Sequence, residues 1–432
     1  MRIVADPTRV TWQIPKGLRG FNFWGTRSDA PFFPEYQAIG LDLLRFPPGR
    51  TGDENNLSAT LMDEAGAVAR GVSAELVVEV RLRGGIPEVA AENVRYMNQR
   101  KGFGARYWEV GNEPDIYGRR AGEPDFSPQW YAEQFRLFAL AMKAADPTIQ
   151  IFGPVLSNKL DQWMPPFIRA CGDVIDGLSW HFYGGNGAKP EAELLASTAE
   201  FDRQVAKVRG WWADRALNPL GSNRRVPLLI SEYGASYQTD VPTNLTTLAA
   251  ALWTADMFGR LVMNRIDLAA YFALWGLGFH GVWDRRGNRR PVHTTFRLLH
   301  EFGDQVIPIE GDQPLVASYA AIRADRNLSL LLINKSPDQS YQAQIDLNGA
   351  QVVGPTLLYR QAEEIDGVAL PPVAPSGSFA LELPPYSTTV ALVPIVRLGA
   401  PPLIWGGVAA MAGSLVVGAV ANLIRRRSRR QG

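Results

Sequence analysis

Two segments of the chain are apolar runs that deliver a glutamate at their far end. They are Trp108-Glu109-Val110-Gly111-Asn112-Glu113-Pro114-Asp115 and Pro227-Leu228-Leu229-Ile230-Ser231-Glu232-Tyr233-Gly234. If both runs are parallel strands of one sheet, Glu113 and Glu232 sit at equivalent ends and can converge. A carboxyl pair so placed suits glycosidic bond cleavage, in which one protonates the leaving oxygen and the other attacks carbon or activates a water. Either glutamate alone could equally be a helix-cap partner or half of a rim ion pair.

The elements that must bring the pair together are legible from the hydrophobic pattern. Between Gly20 and about Asp304, short β-rich runs alternate with amphipathic helical stretches, the pattern of βα units around a parallel sheet. The strand candidates are Gly20–Trp24, Leu43–Phe46, Glu75–Arg81, Arg106–Asn112, Thr148–Pro154, Gly177–Phe182, Val226–Glu232 and Leu268–Trp275. Eight such units predict a closed (β/α)8 TIM barrel over 14–304, whose chemistry sits at the C-terminal ends of its strands. Helices are clearest at Pro87–Lys101, Ser127–Ala145, Glu191–Ala216 and Asn244–Arg265. For the second, Ser127 is the expected N-cap, Pro128 the N1 residue and Asp146-Pro147 the stop. No glycine-rich phosphate loop follows the first strand, so a nucleotide site has no support.

From 305 to 396 the period becomes that of alternating strands, as in Leu328–Ile333, Gln342–Leu347 and Phe379–Leu383, which predicts an antiparallel β-sandwich. Residues 1–13, through Arg2–Val4 and Arg9–Gln13, are candidates to add strands to it.

Asn-Glu at the end of strand four with a glutamate at the end of strand seven resembles clan A of the glycoside hydrolases. The form Glu-Val-Gly-Asn-Glu-Pro-Asp looks most like families 39, 51 and 79. The resemblance implies retaining hydrolysis, with Glu113 as acid/base, Glu232 as nucleophile and Asn112 as donor to the sugar 2-hydroxyl. In Leu43-Leu44-Arg45-Phe46-Pro47-Pro48-Gly49 the second strand resembles an Arg-x-Pro-Gly segment of these families, which places Arg45 beside the nucleophile, where a guanidinium favours the carboxylate form. The extra proline departs from that pattern. In Ser179-Trp180-His181-Phe182-Tyr183-Gly184 the period of two puts His181 and Tyr183 on one face, and both resemble strand-six residues that contact nucleophile or substrate. Trp275, expected to close strand eight, resembles the aromatic floor beneath the reacting sugar. Double displacement needs Glu113 protonated and Glu232 charged, hence a raised pKa for Glu113. An inactive carbohydrate-binding barrel is the rival reading, since binding needs the aromatic groove but not two carboxylates.

Composition narrows the partners. Lys and Arg number 44 against 43 Asp and Glu, a net charge of +1, so no global field draws the chain to nucleic acid. The expected partner is an oligo- or polysaccharide or a glycoside. One cysteine, Cys171, precludes an internal disulfide. The four histidines, His181, His280, His293 and His300, form no HxH or HxxxH pair, so neither metal nor other cofactor is expected. Leu403 to Ile424 runs without a charge into a basic tail, 425–432, that begins Arg425-Arg426-Arg427-Ser428-Arg429-Arg430. That reads as a single transmembrane helix long enough for roughly 30 Å of hydrocarbon, with its arginines and C-terminus cytoplasmic and the barrel outside the cytoplasm. Exporting the barrel requires a signal that Met1–Pro7 does not supply, so a signal peptide is expected upstream.

Overall fold

The computed structural model describes residues 1–25, 30–118, 126–238, 245–276, 278–363, 365–373 and 378–398. Residues Met1–Val396 form one compact unit. The expected membrane span, Leu403–Ile424, and the basic tail lie outside the described residues. Among the described residues no helix is long and apolar enough to cross a membrane.

The eight expected strands are present and close into one parallel barrel. They are β1 (Gly20–Asn22), β2 (Leu43–Phe46), β3 (Glu75–Val80), β4 (Tyr107–Val110), β5 (Gln150–Leu156), β6 (Gly177–Tyr183), β7 (Leu228–Gly234) and β8 (Leu268–Tyr271). Successive side chains alternate between two cores. Leu43, Val77, Phe152, Leu229, Leu268 and Ala270 fill the lower barrel interior. Their neighbours Leu44, Val78, Trp108, Ile151 and Ile230 face outward into the helical layer. Both faces are therefore dry, which is why these strands read as nearly continuous apolar runs.

Helix Pro128–Ala145 has the expected ends, with the Ser127 side chain accepting from Trp130 N at 3.1 Å. The predicted helix Glu191–Ala216 is instead two, Glu191–Ala196 and Thr198–Ala213.

Beyond the barrel, a seven-stranded sheet and a four-stranded sheet pack face to face. The N-terminal strands complete both: Arg2–Ala5 lies parallel to Tyr341–Leu347, and Trp12–Gln13 pairs with Gln305–Val306. In strand Leu328–Asn334, Leu328, Leu330 and Leu332 face the four-stranded sheet, while Leu331 and Ile333 face the barrel helices. This strand too is buried on both faces. Gly259 of helix Leu248–Met263 lets Tyr319 of the large sheet lie against that helix. A Cβ at Gly259 would approach the Tyr319 ring to 2.1 Å.

Candidate active site

The site is organised around one arginine. Arg45 points inward from β2, is fully buried, and uses all five of its N–H directions. Nε donates to Glu109 Oε2 at 2.6 Å; Nη1 donates to Glu232 Oε1 at 2.8 Å and Asn22 Oδ1 at 3.1 Å; Nη2 donates to Asn112 Oδ1 at 2.8 Å and Glu79 Oε2 at 2.9 Å. A buried cation is tolerable only when paired and hydrogen-bonded throughout. Its partners come from the ends or inner faces of β1, β3, β4 and β7, so the barrel geometry and the polar cluster support each other.

Glu232 is aimed inward by an irregularity in β7. Across from β6, Trp180 pairs with Ile230 but His181 pairs with Glu232, so Ser231 is an extra residue. The same extra residue shows against β8. Ile230 faces outward, and without that bulge Glu232, two residues on, would share its face; bulges beside active sites re-aim side chains in this way. Tyr183 OH donates to Glu232 Oε2 at 2.7 Å, so both oxygens of the carboxylate are held.

Glu113 follows β4 in the left-handed region, φ 51° and ψ 50°, after Gly111 at φ 75°. Its amide donates to Val155 O of β5 at 2.9 Å. Its side chain remains partly exposed toward the cleft and meets His181 Nδ1 at 2.9 Å. Oxygens of Glu113 and Glu232 and a nitrogen of His181 all lie within 4.8 Å of one another. A divalent ion could use such a triad. Here, however, the donors are engaged with one another and with Arg45 and Tyr183, which is the pattern of an acid–base site.

Burial pushes the Glu113 carboxyl up, but the His181 hydrogen bond and charge, with Ser157 and Arg45, outweigh it and hold it below the ordinary glutamate value. Burial pulls His181 down, yet Glu232 and Glu113 carry it above the ordinary histidine value. Both shifts favour an imidazolium against a carboxylate in this pair. This is the opposite of the raised pKa expected for Glu113, because the His181 contact outweighs burial. Burial carries the Glu79 carboxyl well above its ordinary range, against the pull of Arg45.

Arg45, Asn112, Glu113, His181, Tyr183 and Glu232 are thus brought together, and Trp275 is not. β8 ends at Tyr271 rather than at 275. The Trp275 indole turns away, donating to Tyr36 OH at 2.6 Å and stacking on Trp283 at 5.4 Å. Phe272 takes the place facing the cleft, with Trp24 edge-on at 5.4 Å and Tyr183 at 6.4 Å. The cleft has a volume of about 950 Å³, and Trp24, Tyr237 and Phe272 supply its aromatic wall beside Glu113 and Glu232. Sequence reasoning missed Asn22, Glu79 and Glu109. The signal for the two glutamates was a charge inside an apolar strand, Leu76-Val77-Val78-Glu79-Val80 and Tyr107-Trp108-Glu109-Val110, which only an opposite buried charge could tolerate.

No protein-family model matches the chain. It is 25% identical over 228 residues to a β-xylosidase of Geobacillus stearothermophilus, covering 48% of this chain and 44% of that one. It is 25% identical over 195 residues to a heparanase of Rattus norvegicus, covering 44% and 36%. The chain thus matches less than half the length of either curated relative. Among solved structures, an α-L-arabinofuranosidase from Thermotoga maritima superimposes with a TM-score of 0.75 at 17% identity, over 92% of this chain and 99% of that one. A family 44 xyloglucanase from Paenibacillus polymyxa does so with a TM-score of 0.72 at 13% identity, over 91% and 99%. These structural likenesses establish the fold. The β-xylosidase and heparanase relatives, and the family 51 arabinofuranosidases that share the fold, belong to clan A of the glycoside hydrolases.

Proposed function

We propose that the protein is a retaining glycoside hydrolase acting by double displacement. The observation that carries the reading is that at least one oxygen of Glu113 lies within 4.8 Å of one oxygen of Glu232, which fits the closer of the two carboxyl spacings. Retaining enzymes hold their carboxyl groups about 5–5.5 Å apart, whereas inverting ones leave about 6.5–9.5 Å for a water between them. A Glu232 oxygen attacks the anomeric carbon while Glu113 passes a proton to the departing oxygen. The glycosyl ester on Glu232 is then hydrolysed by a water whose proton Glu113 takes up, and the configuration at that carbon is retained. His181, in contact with Glu113, holds the proton between turnovers. Asn112 donates to the sugar 2-hydroxyl, and Phe272 with Trp24 meets the apolar face of the ring.

Aryl xylosides, arabinofuranosides and uronides form the panel that tests this. Glu232→Ala should abolish turnover of whichever is cleaved, and Glu113→Ala should spare the glycosylation step only for activated leaving groups. Turnover surviving both substitutions contradicts the assignment. Sugar binding without turnover in the wild type favours the inactive binding barrel.

The same reading includes a membrane anchor at Leu403–Ile424 with Arg425–Arg430 in the cytoplasm and the barrel on the opposite face. The support is the uncharged run and its basic flank. Protease treatment of intact cells should digest the barrel; a barrel protected until lysis contradicts this orientation.

A further inference from the structure

Glu113 lies just past β4, immediately before a 3-10 turn, Pro114–Ile116. Its backbone is in a region that residues with a side chain rarely occupy. Something outside the turn must fix it, because acid catalysis depends on the proton donor lying within hydrogen-bond reach of the leaving oxygen.

We infer that Asp115 is the positioning residue for Glu113, locking the turn that carries it to the end of β5. This inference rests on the glycosidase reading for its consequence, but its geometry stands apart from it. Asp115 is 3% exposed. Its Oδ1 accepts from Ser157 N at 2.9 Å, and its Oδ2 accepts from Asn158 N and Lys159 N, each at 3.0 Å. The Lys159 ammonium donates back to Asp115 O at 2.7 Å. Glu113 N to Val155 O makes the fifth bond between the two segments. The carboxylate spends both oxygens on the three consecutive N–H groups where β5 passes into helix Leu160–Cys171. The segment it holds includes Ser157, which lines the cleft with Glu113 and helps to hold the Glu113 carboxyl down. One buried carboxylate therefore fixes both the backbone beneath the acid/base and a side chain beside it.

Asp115→Asn tests this with nearly unchanged volume. An amide nitrogen in place of either oxygen turns an N–H toward an N–H, so at least one of the three donors loses its acceptor. Lys159→Ala is the second variant; Lys159 is exposed, so its loss does not threaten folding. Each variant is assayed on two glycosides of the same sugar, one with a nitrophenyl leaving group and one with an alkyl leaving group. For Asp115→Asn, kcat/KM on the alkyl glycoside should fall about 10–100-fold, since displacement of a catalytic group by about 1 Å costs up to 10²-fold. On the nitrophenyl glycoside, which needs little protonation, it should change by less than about threefold. Lys159→Ala should show the same asymmetry, smaller. Equal losses on both glycosides would mean general damage and overturn the inference. If the wild type cleaves no glycoside, the functional proposal fails and the crystal structure of Asp115→Asn decides the inference alone. A broken Glu113–His181 contact upholds it, and Glu113 unmoved within coordinate error overturns it.

Discussion

Replacing Arg45 by lysine keeps the charge and removes the geometry. Arg45 serves five acceptors on five residues, Asn22, Glu79, Glu109, Asn112 and Glu232. A lysine ammonium has three donors on one atom and no fixed fork. At least two buried acceptors therefore lose their partner, each at about 1–3 kcal/mol, so Arg45→Lys should cost about 2–6 kcal/mol. Measured stabilities of about 5–15 kcal/mol leave the variant folded but weakened. With an unfolding entropy of about 2.1 cal/mol/K per residue, an ordered unit of this length loses about 1 °C of Tm per kcal/mol. Calorimetry should then show a drop of about 2–7 °C. Because Glu232 depends on Arg45 for one of its two anchoring bonds, kcat/KM should also fall about 10²-fold, the scale of a misplaced catalytic group. A variant with unchanged Tm and unchanged kcat/KM would show that the network neither supports the barrel nor positions Glu232.

Other expectations follow from the same geometry. His181→Gln should move the alkaline limb of the kcat/KM profile to lower pH. The raised imidazole pKa retains the shared proton above pH 6.5 in the wild type, whereas Glu113 alone releases it earlier; an unmoved limb would take the proton off His181. Glu79→Gln should flatten the dependence of stability on pH. The folded pKa of Glu79 lies above its unfolded value, so the folded state binds more protons in that window and stability falls as pH rises through it; a neutral amide removes the fall, and parallel profiles would contradict this. Phe272→Ala should reduce kcat/KM by about 10-fold or more through loss of the ring platform, worth about 1.5 kcal/mol. Trp275→Phe should instead lower Tm with kcat/KM near wild type, and the reverse pattern would restore Trp275 to the site.

The barrel was legible because each strand is buried on both faces and therefore announces itself as an apolar run; β2 lies at Leu43–Phe46, as expected. Glu113 and Glu232 were legible because they interrupt such runs at their ends. The inward turn of Glu232 was not, since it depends on a bulge at Ser231 that is visible only in the pairing of β7 with β6 and β8. Trp275 was misplaced because strand-like residues continue past Tyr271, while the backbone leaves the sheet there and aims Phe272 at the cleft. The division of the proton between Glu113 and His181 was hidden for a related reason. It is set by a 2.9 Å contact between residues 68 apart in the chain, and no local pattern encodes it.

Double displacement requires that Glu232 become covalently glycosylated. The direct measurement is mass spectrometry of the protein after incubation with 2-deoxy-2-fluoro glycosyl fluorides of the sugar that it cleaves. A single adduct on the peptide containing Glu232 is expected, with activity lost in proportion, and no adduct in Glu232→Ala. An adduct on Glu113, or turnover of the matching aryl glycoside with inversion and no adduct at all, would contradict it.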